Sequence, residues 1–205
     1  MMFGKAQTRN VPALAAVCLL ALLVASANPG AAGQTRPPPS ESREAGLQAW
    51  AGIARVLRHP RCMNCHTTTN FPRQGDDRHP HVNLVRRGLD GHGVPGQMCS
   101  TCHQTENNES SGVPGTPNWH LAPLSMAWEG LSDADLCRVL TDPKKNGGMD
   151  LAKLEEHIEH DPIVAYGWNP GANRKPIPGS RADLIQLMKT WSRAGAPCPS
   201  RTASR

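Results

Sequence analysis

The sequence predicts a mainly α, loop-rich chain folded as one unit, and three observations carry that reading. Apolar residues recur at three- and four-residue steps in four separate segments, the mark of helices with one buried face. No segment shows the strict alternation of a half-buried strand. The chain of 205 residues holds 19 Gly and 19 Pro but only 2 Phe and 1 Tyr, so loops are many and the apolar core is thin. A domain with so little apolar volume needs an additional staple: disulfides, a metal or a bound group.

Residues 1–33 have the composition of a secretory signal. Lys5 and Arg9 form a positive start, an apolar run extends from Val11 to Ala27, and Ala25-Ser26-Ala27 matches a small-residue cleavage site. The alternative is an uncleaved membrane anchor, for which the run is at the short end of the roughly 17–25 residues a span requires. Cys18 falls inside this segment. Residues 34–40 are proline-rich and expected to be a flexible tether, 41–200 the folded domain, and 201–205 a tail. No segment after the signal is apolar and long enough to span a membrane. The expected location is therefore the periplasm, with membrane anchoring if the signal is retained.

Within the domain, Leu47, Trp50, Ile53 and Leu57 share one face of a helix predicted over residues 41–57. His59-Pro60 should end it, because the residue before a proline is pushed out of helical geometry. Residues 67–125 carry little periodicity and much Pro, Gly, Asn and Asp. So long an irregular stretch in a small domain calls for a functional cause, such as wrapping a bound group. Ser132 with Asp135 is predicted to form a capping box ahead of Leu136 and Leu140. Leu151, Leu154 and Ile158 mark the next helix. Ser180 with Asp183 opens the last, with Leu184, Met188 and Trp191 on one side and Gly195 just past its end.

The chemistry is concentrated in Cys62-Met63-Asn64-Cys65-His66 and Cys99-Ser100-Thr101-Cys102-His103. C-x-x-C-H is the attachment signature of c-type haem. Two thiols three positions apart can each add to one vinyl group of the same porphyrin, and the adjacent imidazole then reaches the iron from below. The sequence thus predicts two haem c groups, attached through Cys62, Cys65, Cys99 and Cys102, with His66 and His103 as proximal ligands. Zinc is the main competitor for paired C-x-x-C motifs, but it has no need of a histidine directly after both pairs, and these pairs stand further apart than in a zinc ribbon. A dithiol redox site belongs with a βαβ pattern, which is missing here, and two plain disulfides would need no histidine.

The sixth ligand of each iron is left open between His81, His157, Met126 and His120. His157 borders the Leu151/Leu154/Ile158 stripe. His81 lies in the irregular stretch between the motifs. His120 and Met126 sit in the most apolar part after the second motif. Each histidine has an alternative as an ordinary surface or structural residue. Met63 is inside a motif, Met98 abuts Cys99, and Met188 has the spacing of a core residue. The remaining pair, Cys137 and Cys198, is expected to form a disulfide, since export favours bonds over free thiols.

Around the motifs, His59-Pro60-Arg61, Pro117-Asn118-Trp119 with Leu121-Ala122-Pro123, Met126-Ala127-Trp128 and Gly167-Trp168-Asn169-Pro170-Gly171 give the chain a likeness to a family. It resembles small exported bacterial dihaem c-type cytochromes, some of which are named as subunits associated with isoquinoline 1-oxidoreductase, a molybdenum hydroxylase. The resemblance implies a redox protein as partner, such as a periplasmic oxidoreductase.

The functional expectation is an electron carrier passing electrons between redox partners. The alternative is a small haem enzyme, a peroxidase or reductase, with an open coordination site; a redox or gas sensor would want an output domain. Net charge adds little. Removing Lys5 and Arg9 takes the formal +5 to +3, and no dense basic run indicates nucleic acid.

Overall fold

The computed structural model describes residues 41–171 and 173–201. The signal and tether readings, Cys18 among them, lie outside the described residues, as do residues 202–205. The architecture is mainly helical, interrupted by one long irregular segment. Helix α1 spans Arg43–Leu57, α2 Pro60–Met63, α3 Asp133–Thr141, α4 Leu151–His160, α5 Pro162–Ala165 and α6 Arg181–Arg193. Between α2 and α3 lie two antiparallel hairpins of two-residue strands. In one, β1 (Arg73–Gln74) pairs with β2 (His79–Pro80); in the other, β3 (Gly93–Val94) pairs with β4 (Gln97–Met98).

Helix α1 packs chiefly along α6 and also meets α3, while α4 lies against α6 and α5. Trp50 and Trp191 sit at the α1–α6 contact, both fully buried, with ring centroids 5.1 Å apart. Their indole N–H groups donate to the Asp133 and Pro197 carbonyls, each at 3.1 Å, so neither ring is buried with an unpaired donor. The buried face of α1 is centred differently from the expected stripe. Gly46, Ala49, Gly52 and Ala54 are buried with Trp50, Ile53 and Leu57, whereas Leu47 is only half-buried. Close helix approach is the reason: a methyl group on Gly46 would come within 2.5 Å of Ala194 Cβ.

The helix ends follow side-chain capping. Ser180 and Asp183 form the reciprocal box at α6. At α3 the box is only half made. Ser132 Oγ accepts from the Asp135 N–H, but the Asp135 carboxylate accepts from the Ser132 hydroxyl rather than from its backbone. Cys137 and Cys198 form a disulfide with Cα atoms 5.6 Å apart, which ties α3 to the C-terminal segment. Among the described residues no helix is long and apolar enough to cross a membrane.

Candidate functional site

Each C-x-x-C-H segment adopts one helical turn. In the first, which α2 opens with Pro60 at its start, the Cys62 carbonyl accepts from the N–H groups of Cys65 and His66 at 3.2 and 3.3 Å. In the second, the Cys99 carbonyl accepts from Cys102 and His103 at 3.2 and 2.9 Å. An i, i+3 turn brings the two thiols to the same side, with the imidazole one step further on. None of the four thiols is in a disulfide.

The two imidazoles are held alike. His66 Nδ1–H donates to the Met126 carbonyl and His103 Nδ1–H to the Pro114 carbonyl, both at 2.7 Å. A carbonyl can only accept, so Nδ1 carries the proton and Nε2 keeps its lone pair, the arrangement that prepares a histidine as a metal ligand. An indole stacks on each ring: Trp128 on His66 with centroids 3.3 Å apart, and Trp119 on His103 at 4.1 Å. Burial pushes His66 down to about 3 and lowers His103 as well, so both rings are neutral at physiological pH. Burial also pushes the thiols of Cys62 and Cys65 up, to about 12 and about 11. Thiols held neutral in this way are poor nucleophiles and poor redox dithiols.

Each motif borders its own cavity. The first, of about 250 Å³, is lined by Cys62, Cys65 and His66 together with apolar residues of α1, α4 and α6. The second, of about 660 Å³, is lined by Cys99, Cys102 and His103 and by the irregular segment. Arg61, Cys65, Trp119 and Tyr166 line both, so the two spaces share a wall. Among the described residues no three His, Cys, Asp or Glu side chains are grouped to hold a bare metal ion.

The first cavity also contains buried donors without acceptors. Arg61 Nε, Trp128 Nε1 and Trp168 Nε1 have no partner, although the chain normally satisfies such groups. Arg61 is 6 % exposed; its Nη2 donates to Asp76 Oδ1 at 2.5 Å and to the Gly75 carbonyl at 2.9 Å, which leaves Nε for something else. Three donors without acceptors on residues that line this cavity suit an anionic, acceptor-rich occupant. Sequence reading placed these three only in the blocks that carry the family likeness, not as donors to a bound group. An exposed-looking Arg after a proline and two Trp in irregular segments give no local sign of burial.

The four residues considered for the far side of an iron divide between the cavities. His81 lines the second, while His120, His157 and Met126 line the first. His157 Nδ1 lies 3.1 Å from Asp161 Oδ2, and this carboxylate is lowered chiefly by that bond. His120 Nδ1–H donates to the Asn118 carbonyl at 2.6 Å, and its ring stacks on His92. Met126 is buried and supplies the carbonyl that holds His66. Met149 also borders the first cavity, clipped into place by Asn146, which bonds both its N–H and its carbonyl. No protein-family model matches the chain, and neither does any curated protein or solved structure.

Proposed function

We propose that this chain is an exported c-type cytochrome that carries two covalently attached haems and passes electrons between redox partners. The observation that carries this reading is the duplicated arrangement at the motifs. Each borders a cavity with two thiols outside any disulfide and a histidine whose Nδ1 proton is given to a backbone carbonyl, leaving Nε2 free.

The residues present fit a haem at each position. Cys62 and Cys65 would hold one through thioethers, with His66 on its iron; Cys99, Cys102 and His103 would hold the other. Bound there, each haem supplies a one-electron iron couple. The chain's own contributions are orientation, exclusion of water and electrostatic balance. The carbonyls of Met126 and Pro114 fix the two imidazoles, and the stacked indoles restrict their rotation. Arg61, Trp128 and Trp168 offer donors that suit haem carboxylates at the first cavity. The wall formed by Arg61, Cys65, Trp119 and Tyr166 supports two neighbouring groups able to exchange electrons without an intervening domain.

The experiment that tests the functional reading is a potentiometric titration of the exported protein, followed optically, together with carbon monoxide binding to the reduced form. A carrier gives two reversible one-electron steps and binds carbon monoxide slowly. Fast binding at either iron identifies an open coordination site and overturns the carrier reading in favour of a haem enzyme.

A further inference from the structure

We infer that His81 is the second axial ligand of the iron held by the second motif, giving that haem two histidines; this rests on the dihaem reading above. The ring centroids of His81 and His103 are 6.0 Å apart at the edge of the cavity that Cys99 and Cys102 line. Two imidazoles on opposite sides of one metal, each at a bond length of about 2.0–2.1 Å, have their ring centres about 6 Å apart. The two rings meet at an interplanar angle of 64°, and their spacing matches that of two imidazoles on one metal.

The bonding of both rings agrees. His81 Nδ1–H donates to the Val82 carbonyl at 2.6 Å, as His103 Nδ1–H does to Pro114, so each ring keeps Nε2 as its lone-pair nitrogen. The other close histidine pair is built otherwise. His92 and His120 stack at 5.2 Å, and His92 Nε2 is spent on Asn118 Oδ1 at 2.9 Å.

His81 is also held in place, as a ligand must be. It directly follows β2, and its N–H donates to the Pro72 carbonyl. The next residue, Val82, donates its N–H to Gln74 Oε1 at 3.0 Å, and Gln97 Nε2 reaches the Asn83 carbonyl at 3.1 Å. The β1–β2 hairpin and the β3–β4 hairpin therefore both clamp the His81 turn. Met98, the methionine on this cavity, directly precedes Cys99 and is 40 % exposed, on the attachment side of the group. A methionine ligand raises the reduction potential relative to histidine, so the second haem is the lower-potential partner of any haem that methionine ligates.

The test uses the full chain exported with both haems, and the variants His81→Gly and His81→Met, with His79→Ala as control. Haem content is counted first. Fewer than two haems in the unmutated protein would refute the dihaem reading itself, separately from this inference. With two present, the oxidised wild type should show a bis-histidine near-infrared charge-transfer band from at least one haem. His81→Gly should convert one haem of two to a form that binds one carbon monoxide per chain rapidly, and added imidazole should restore the low-spin spectrum. His81→Met should raise one of the two potentials and leave the other. If His81→Gly does not accumulate, His81→Met decides the question alone. Spectra, carbon monoxide stoichiometry and potentials unchanged from wild type in the His81 variants would overturn the assignment.

Discussion

Removing the Cys137–Cys198 bond provides a stability test whose size follows from the chain. The bond spans a sequence separation of 61 residues. Closing a loop of that length restricts the unfolded chain by about 4 kcal/mol on the loop-entropy relation, near the upper end of what disulfides contribute. Its loss also frees the C-terminal segment that receives the Trp191 indole N–H through the Pro197 carbonyl, at the centre of the α1–α6 contact. The perturbation is the double variant Cys137→Ala/Cys198→Ala, or reduction of the native protein by a thiol reagent, which does not cleave thioethers. Urea unfolding followed by tryptophan fluorescence and far-ultraviolet circular dichroism should lose about 4 kcal/mol. The melting temperature should fall by about 10 °C, at a few degrees per kcal/mol for a domain of this size. A loss under about 1 kcal/mol, or labelling of both residues in the native, unreduced protein, would refute the reasoning.

Other outcomes follow from individual contacts. Glu129 accepts from the Thr68 N–H at 2.7 Å, the Thr68 hydroxyl at 2.8 Å and Arg78 Nη2 at 2.5 Å. Partial burial raises this carboxyl, but the hydrogen bonds outweigh it and hold the group below its usual value. The stability it contributes is complete above the ordinary carboxylate range, near pH 4.3 for glutamate, and is lost as pH falls through the lowered value. Glu129→Gln should cost about 1–3 kcal/mol at pH 7, and that difference should shrink in melts below about pH 4. Gly88 has φ +71°, and a Cβ there would lie 1.8 Å from the Gly93 carbonyl oxygen, whereas Gly96 at φ +84° has open space around it. Gly96→Ala should cost about 1–2 kcal/mol for the left-handed conformation alone. Gly88→Ala should cost clearly more in the same denaturation assay, and equal losses would contradict the packing around Gly88.

What could be read in advance divides along local and distant determinants. Helices α1, α3, α4 and α6 were legible because their apolar positions repeat within a few residues, and a serine cap read from the sequence precedes α3 and α6. The disulfide partners were legible because two cysteines remained outside the motifs. Helix α2 was missed: at four residues it is too short to show a period, and its Pro60 reads as a stop for α1 rather than a start. The two hairpins were missed for a similar reason, since two residues per strand cannot display alternation. At the candidate site, the cysteines and histidine of each C-x-x-C-H segment are contiguous in sequence and so legible from it. The carbonyls of Met126 and Pro114 come from 60 and 11 residues away, and the orphaned donors of Arg61, Trp128 and Trp168 exist only once the chain has folded. Choice among His81, His120, His157 and Met126 depends on which cavity each borders, a property of tertiary structure alone.

The most direct test of the dihaem account is the pyridine haemochrome of the purified exported protein, counted against chain concentration and paired with intact-mass measurement. The account predicts two c-type haems per chain, neither removed by acidified organic solvent. It further predicts one haem each in Cys62→Ala/Cys65→Ala and Cys99→Ala/Cys102→Ala. Fewer than two covalently bound haems in the unmutated chain would contradict it.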